Sequence, residues 1–167
     1  GIASLGDFDN DGVNDILVGA RGDDDGSTDK GAVWILYLNV NGTVKTHHKI
    51  SNTQGNFTGS LDFQDKFGIA IDTLGDIDGD NITDIVVGGY LDDDGGIDRG
   101  AVWILFMNAN GTVKGHQKIS DTQGNFSIIF KALPDESVDK KSLPVFEYEV
   151  TADVTDVNGE TRSATSI

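Results

Sequence analysis

Short apolar runs alternate with stretches rich in glycine and aspartate along this chain. The two most apolar runs, Ala32 to Leu38 and Ala101 to Met107, have the length and β-branched content of strands buried on both faces. The runs Asp15 to Gly19 and Asp84 to Gly88 are too short and too closely bounded by glycine to be helices, so they also predict strands. The remaining predicted strands are Ile2 to Leu5, Val44 to Ile50, Ile69 to Leu74 and Val113 to Ile119.

The whole pattern occurs twice. The run Lys30 to Tyr37 returns as Arg99 to Phe106, and Trp34 returns as Trp103, an offset of 69 positions. The agreement continues to Phe126 and stops there. Four short antiparallel strands in each unit, repeated in tandem, predict an all-β chain built of two β-propeller blades. Two blades are too few to close a propeller, so we expect exposed blade faces.

The chain after residue 126 does not repeat. We predict two propeller repeats over residues 1–126 (about 1–57 and 67–126), a linker over 127–142 and a β-hairpin over 143–167. The hairpin is expected because Val145 to Val154 reads as one long strand and Asn158-Gly159 is a strong turn signal. This tail resembles the end of a macroglobulin-type or other immunoglobulin-like β-sandwich domain, and the resemblance implies a fragment of such a domain.

Composition narrows the classes of function. The chain has 167 residues and a formal net charge of −16, which disfavours nucleic acid and anionic membranes and favours cations. It contains no cysteine, so disulfides and thiolate metal sites are excluded. No apolar run approaches the length that spans a bilayer. Because the sequence starts at Gly1 without a methionine or a signal peptide, we expect a segment of a longer protein.

An acidic loop precedes the second strand of each unit. Its carboxylates stand at loop positions 1, 3, 5 and 9 and are Asp7, Asp9, Asp11 and Asp15 in the first copy and Asp76, Asp78, Asp80 and Asp84 in the second. So many like charges repel one another unless a cation lies between them, and hard oxygen ligands suit Ca²⁺. An EF-hand is excluded because Val18 and Val87 stand where its glutamate is needed. The alternative is that these aspartates only decorate a turn.

The unit resembles the FG-GAP repeat of integrin α-chain propellers and of bacterial surface proteins. The Phe-Gly that gives the repeat its name is Phe67-Gly68, and the Gly-Ala-Pro corner is approximated by Gly19-Ala20-Arg21 and Gly88-Gly89-Tyr90, both without the proline. The resemblance covers about residues 1–126. It implies a Ca²⁺-binding loop between these two motifs.

The resemblance also implies a ligand set for two Ca²⁺ sites. Each site uses the four carboxylates and one backbone carbonyl, so that the sets are Asp7, Asp9, Asp11, Val13 and Asp15, and Asp76, Asp78, Asp80, Ile82 and Asp84. Position 6 needs a residue that tolerates positive φ, and it is Gly12 in the first loop and Asn81 in the second. We therefore expect the second site to be slightly strained.

These features predict a calcium-binding β-propeller repeat module of a secreted or cell-surface protein of bacterial type. It acts in adhesion or ligand presentation without catalysis. The implied partners are Ca²⁺, a protein or glycan ligand that contacts the blade loops, and further blades of the parent protein, with no nucleic acid and no membrane insertion. Two alternatives remain open: an accessory propeller domain of an extracellular hydrolase, and a purely structural repeat array.

A second acidic stretch follows the second strand of each unit. It contains Asp23, Asp24, Asp25 and Asp29 in the first copy and Asp92, Asp93, Asp94 and Asp98 in the second. We expect a solvated loop here, with a second cation site or a partner-facing loop as the alternatives. Trp34 and Trp103 are expected to pack within or between blades, with carbohydrate stacking as the other option.

Overall fold

The computed structural model of the chain describes residues 1–123, 128–132, 148–155 and 161–166. Residues 1–123 form two four-stranded sheets, each antiparallel and each in the order of the sequence. The first sheet, called blade 1, comprises β1 (Ile2–Gly6), β2 (Asp15–Ala20), β3 (Ala32–Leu38) and β4 (Val44–Ser51). The second sheet, called blade 2, comprises β5 (Ala70–Gly75), β6 (Asp84–Gly89), β7 (Ala101–Met107) and β8 (Val113–Ile119). The predicted blade fold is confirmed.

A third sheet follows the two blades. It has the order β11-β10-β9, with β9 at Ile128–Ala132, β10 at Tyr148–Thr155 and β11 at Thr161–Ser166. The strands β10 and β11 pair antiparallel, as the sequence predicts for a hairpin. The expected linker over 127–142 differs, since it contains β9, whose run of isoleucines and phenylalanine favours a strand. The rest of that linker and the turn Asn158-Gly159 lie outside the described residues, and the domain division stays a prediction.

The central strands show how the two blades pack. In β3 the side chains of Val33, Ile35 and Tyr37 are buried, and their neighbours on the other face are half-buried. In β7 the pattern is inverted, because Trp103 and Leu105 are buried whereas Val102 is 40% exposed. The core therefore lies between the blades. The expectation that both strands are buried on both faces is wrong, because in the part of the chain that the structure describes each blade packs against a neighbour on one side only.

The connector between the blades, residues 52–69, supplies aromatic side chains to this core. Phe57 stacks on Phe67 with ring centroids 5.3 Å apart and meets Trp103 edge-on at 5.2 Å. Leu61 is fully buried in the same cluster. The connector also bonds to blade 1, where Phe67 and Gly31 form an isolated parallel bridge. It thus fixes blade 2 against blade 1.

Candidate metal centres

The first acidic loop connects β1 to β2. Carboxylate oxygens of Asp7, Asp9 and Asp11 lie within 4.8 Å of one another. The loop is held in this shape by its own side chains, because Asp7 accepts hydrogen bonds from the backbone amides of Asp11 and Gly12, both at 2.9 Å. Asp11 in turn accepts one from the amide of Val13 at 2.9 Å. Alternate residues of the loop therefore face one point.

The second loop, between β5 and β6, has the same construction. Carboxylate oxygens of Asp76, Asp78 and Asp84 lie within 4.8 Å of one another. Asp76 accepts hydrogen bonds from the amides of Asp80 at 3.0 Å and Asn81 at 2.8 Å. The second cluster thus uses loop positions 1, 3 and 9, whereas the first uses positions 1, 3 and 5.

The predicted ligand sets are only partly brought together. Asp15 does not join the cluster of the first loop, and Asp80 does not join that of the second. Val13 and Ile82, expected to offer their carbonyl oxygens, use their amides to bond Asp11 and Asp80, at 2.9 Å each. The complete ligand sets stay predictions.

The last aspartate of each loop is fully buried and links the loop to the central strand. Asp15 accepts hydrogen bonds from the amides of Phe8 at 3.1 Å and Leu38 at 3.0 Å, one at each carboxylate oxygen. Asp84 repeats this with the amides of Ile77 at 3.1 Å and Met107 at 2.9 Å. Buried carboxylates of this kind need such donors. Both residues are predicted metal ligands, and this structural role was not expected from the sequence.

Two positions in each loop have positive φ. They are Asn10 at 61° and Gly12 at 89° in the first loop, and Gly79 at 83° and Asn81 at 66° in the second. Each loop therefore carries one glycine and one asparagine at its two left-handed positions, in opposite order. This geometry gives no reason to expect more strain in the second site, because one asparagine adopts a positive φ in each loop.

A lysine from the last strand of each blade reaches the acidic cluster. The Lys45 ammonium lies 2.6 Å from the Asp9 carboxylate and also pairs with Asp11. The hydrogen bond from Lys45 lowers the pKa of Asp11, and a second hydrogen bond from the Val13 amide adds to this effect. The hydrogen bonds to Asp11 and Asp9, in that order of size, hold the pKa of Lys45 above its usual range. Lys114 repeats the contact, 2.6 Å from Asp78. The Asn-Gly-Thr-Val-Lys run common to both units was the sequence signal for this lysine.

The oxygen atoms of the acidic clusters are suitable ligands for a divalent cation. Within the described residues, one carboxylate oxygen of Asp9, Oδ1, is shielded from solvent and has no hydrogen-bond partner. Every side-chain donor is a carboxylate oxygen, the hard ligand that Ca²⁺ prefers. The negative field extends to Tyr37, whose pKa is raised to about 12 by burial and by the charges of Asp15 and Asp9. One ammonium group does not neutralise three carboxylates, so the cluster keeps a net negative charge that attracts a further cation.

The second acidic stretch has a cation of its own. Lys49 lies 2.8 Å from Asp23 and 2.7 Å from Asp25, and its ammonium stands 5.3 Å from the Trp34 ring centre. Most residues of this loop are exposed, and Lys49 supplies a positive charge to its Asp23 and Asp25. The second cation site, given above as an alternative, stays a prediction.

Blade 2 buries the same arrangement more deeply. Lys118 is 2.7 Å from both Asp92 and Asp94 and 5.0 Å from the Trp103 ring centre. Burial would lower the pKa of Lys118, but the two carboxylates outweigh this effect and raise it. His116 also packs on Trp103, with centroids 5.4 Å apart, and burial lowers its pKa. Trp103 thus packs in the core between the blades, as expected, whereas Trp34 is half-buried and its role stays a prediction.

Comparisons with known proteins bear on these loops. A sequence model described as FG-GAP repeat matches residues 1–36, which contain the first acidic loop. The chain is 40% identical to integrin alpha-2 of Mus musculus over 89 residues, which make up 52% of this chain and 7% of the relative. It is 36% identical to integrin alpha-2 of Bos taurus over 91 residues, 53% of this chain and 7% of the relative. The chain thus spans a small part of the length of these relatives. No helix in the described part of the chain is long and apolar enough to cross a membrane.

Proposed function

We propose that this chain, which belongs to the FG-GAP repeat family of the integrin α type, is a calcium-binding β-propeller module of a secreted or cell-surface protein. It acts in adhesion or ligand presentation and does not catalyse a reaction. The similarity to integrin alpha-2 supports the adhesive role and the presence of further blades in the parent protein. The bacterial type expected from the sequence has no support from these relatives.

The observation that carries the proposal is the paired acidic cluster. Three carboxylates converge within 4.8 Å in each loop, at equivalent places in two blades. Without a cation, such convergence costs free energy by charge repulsion. Ca²⁺ accepts six to eight oxygen ligands in flexible geometry, so water and loop carbonyls complete the shell.

The nearby lysines are expected to weaken the binding of an ion at the proposed sites. Lys45 and Lys114 contact carboxylates that a bound ion would also contact. An incoming ion therefore displaces or repels an ammonium, which weakens its binding. We expect Ca²⁺ affinity in the range of extracellular modules, about 10⁻⁴–10⁻³ M, rather than that of cytosolic buffers.

The metal's role in the module is structural. Each loop joins the first two strands of a blade, and its buried aspartate holds the end of the central strand. An ion bound only to the folded state adds to the free energy of unfolding. The ion thereby keeps the neighbouring blade loops in one arrangement for a protein or glycan ligand.

Calorimetric titration of the metal-stripped chain with Ca²⁺ tests this proposal, with Mg²⁺ as the comparison ion. The expected result is two Ca²⁺ per chain and much weaker Mg²⁺ binding. Replacing Asp9 and Asp11 by asparagine removes one site, and replacing Asp78 and Asp80 removes the other. The matched control Asp72→Asn removes a charge on β5 outside both clusters and leaves both sites intact. A chain with the far-ultraviolet spectrum of a β-protein that takes up no Ca²⁺ contradicts the proposal.

The adhesive role needs its own test. The chain is immobilised and probed with arrays of extracellular-matrix proteins and glycans, in Ca²⁺ and in chelator. Binding that depends on Ca²⁺ and is lost in the Asp9, Asp11 variant supports ligand presentation. A folded, Ca²⁺-loaded chain that binds nothing on either array favours the purely structural reading of the repeats.

A further inference from the structure

A polar cavity lies between the connector and the last strand of blade 2. Its volume is about 520 Å³, which is within the range of ~300–1,000 Å³ that is typical of small-molecule sites. The connector contributes the exposed hydroxyl groups of Thr58 and Ser60. The buried side chains of Trp103 on β7 and Lys118 on β8 also line the cavity. The cavity therefore has an exposed polar rim and a buried floor.

The connector closes this cavity over Trp103. Phe57 meets the indole ring edge-on, with ring centroids 5.2 Å apart, and a Cβ atom added to Gly59 would lie 2.6 Å from the indole Cζ3 atom. Trp103 is 2% exposed as a result. Its equivalent in blade 1, Trp34, is only half-buried. Of the two tryptophans, the one in blade 2 thus stands in the more enclosed site.

The indole nitrogen of Trp103 lacks a hydrogen-bond acceptor. Within the described residues, Nε1 is shielded from solvent and has no partner. Buried polar groups are normally hydrogen-bonded, because a buried donor without a partner has lost its bond to water and gained nothing in return. An indole N–H group can only donate. The missing partner must therefore be an acceptor, such as the oxygen atom of a bound molecule.

The ring of Trp103 is already in contact with other side chains of the protein. The Lys118 ammonium stands 5.0 Å from the ring centre, and the His116 ring centroid lies 5.4 Å away. A planar aromatic ligand or a quaternary ammonium ligand binds over the face of a tryptophan ring. Because these side chains and Phe57 already surround the ring, the geometry favours a ligand that forms hydrogen bonds over one that stacks.

The charges at the cavity are already paired. The Lys118 ammonium lies 2.7 Å from both Asp92 and Asp94, so it is not free to bind an anion. Asp94 also accepts a hydrogen bond from the side-chain amide of Gln123 at 2.9 Å. Asp62, another carboxylate at the cavity, is exposed to water. A neutral ligand that both donates and accepts hydrogen bonds suits this arrangement better than a charged one.

We propose that the cavity binds one neutral sugar residue of a glycan, with a sugar oxygen accepting a hydrogen bond from the Trp103 indole N–H. A sugar ring is uncharged and carries hydroxyl donors and acceptors on all sides. It can therefore bond to Thr58 and Ser60 at the rim as well as to the floor. The cavity would give the glycan ligand of the proposed function a place and a chemical class, and in this respect the proposal rests on that function.

The test follows the two indole N–H signals of the chain by nuclear magnetic resonance. The chain has two tryptophans, and Trp34→Phe assigns the signals by removing one of them. Glucose, galactose, mannose and N-acetylglucosamine are titrated separately in the presence of Ca²⁺. With at least one of these sugars, the Trp103 signal shifts and saturates with a millimolar Kd, as expected for so small a ligand, while the Trp34 signal stays in place. Equal shifts of both signals, or an equal response to glucuronate, would overturn the proposal.

Two variants of the connector provide a matched comparison. Thr58→Val combined with Ser60→Ala removes two exposed hydroxyl groups from the rim, and the Kd for the sugar rises about five- to tenfold. Thr53→Val makes the same kind of change at an exposed position of the connector outside the cavity, and the Kd stays the same. An equal effect of the two variants would contradict a site at the rim.

A second measurement covers a sugar that is bound only as part of a larger glycan. The wild type and the Thr58, Ser60 variant are probed on a glycan array in Ca²⁺, and both are titrated with Ca²⁺ by calorimetry. Binding to neutral glycans that the variant loses, while its Ca²⁺ uptake is unchanged, supports the proposal. Array binding that the variant keeps overturns the cavity as the site but leaves the proposed adhesive function standing. A folded, Ca²⁺-loaded chain that responds to no neutral sugar in either measurement also overturns it.

Discussion

The Oδ1 atom of Asp84 accepts a hydrogen bond from the backbone amide of Met107 at 2.9 Å, and this bond joins the second acidic loop to the end of the central strand of blade 2. The other oxygen accepts from the amide of Ile77 at 3.1 Å. The carboxylate and its bond to Met107 are fully buried, so the Met107 amide has no water as a substitute, whereas the bond to Ile77 is partly buried. The loop and the core of the blade are therefore one cooperative unit.

The first prediction concerns this buried aspartate. Asp84→Ala leaves the buried amide of Met107 and the partly buried amide of Ile77 without acceptors, so the free energy of unfolding in chelator falls by about 2–4 kcal/mol. Urea denaturation followed by circular dichroism measures the change. Asp80→Ala in the same loop is the control, because Asp80 is exposed, and its loss of stability is clearly smaller. Equal losses in the two variants would contradict the structural role of Asp84.

The second prediction concerns the lysine at the first acidic loop. Lys45→Gln removes an ammonium that contacts Asp9 and Asp11, so a bound divalent ion no longer faces a nearby positive charge. Calcium affinity at the first loop rises about three- to tenfold, and the gain shrinks at high salt. Calorimetry of the variant, carried out beside Lys114→Gln, measures the effect. Each variant strengthens its own loop only, and unchanged affinity in both would show that the ammonium groups do not compete with the ion.

The third prediction concerns Asp65, a buried aspartate of the connector. Burial raises the pKa of its carboxyl to about 6, and the charges of Asp92 and Asp62 add to this, while a hydrogen bond from the Asp62 amide and the charge of Lys118 oppose it. The neutral acid is therefore favoured in the folded state. Its contribution to stability is complete below about pH 4 and is lost as the pH rises through about 6.

Asp65→Asn tests this pH dependence, because asparagine stays neutral at every pH. The free energy of unfolding of the wild type relative to the variant falls by about 1–2 kcal/mol between pH 4 and pH 7, after allowance for screening by solvent. Denaturant unfolding at several pH values in chelator measures it. A difference between the two proteins that stays constant from pH 4 to pH 7 would contradict the raised pKa.

The fourth prediction compares two equivalent glycines. Gly19→Ala places a Cβ against the backbone of Gly68 and destabilises the chain by about 1–3 kcal/mol. Gly88→Ala meets no atom closer than 3.6 Å, so it changes stability by less than about 0.5 kcal/mol. Thermal unfolding of both variants gives the comparison. Equal effects would mean that the close approach of Gly68 to Gly19 does not distinguish the two glycines.

Much of the fold was predictable from local pattern. The strands β3 and β7 begin and end where their apolar runs do, and the repeat offset places every strand of blade 2 from those of blade 1. The burial of each face was not predictable. Val33 and Val102 occupy the same place in the same motif, yet one is buried and the other exposed, because among the described residues only Val33 has a neighbouring segment.

The aspartates of the candidate site were predicted from the sequence, but the residues that they contact were not. Alternating aspartates indicate a loop whose side chains face inward, because their spacing is a local property of the sequence. The lysines Lys45 and Lys49 lie on β4, and their meeting with the acidic loops depends on how the strands pair. The buried role of Asp15 likewise depends on a contact with Leu38, 23 positions away. Neither contact can be predicted from the spacing of the acidic residues.

The most direct test of the account is a crystal structure of the chain grown with Ca²⁺, with the ions located by anomalous scattering. The account predicts one ion among Asp7, Asp9 and Asp11 and one among Asp76, Asp78 and Asp84, with the ammonium groups of Lys45 and Lys114 moved away from the carboxylates. Ions found only elsewhere, or both lysines still seated in the clusters at saturating Ca²⁺ with no ion beside them, would contradict it.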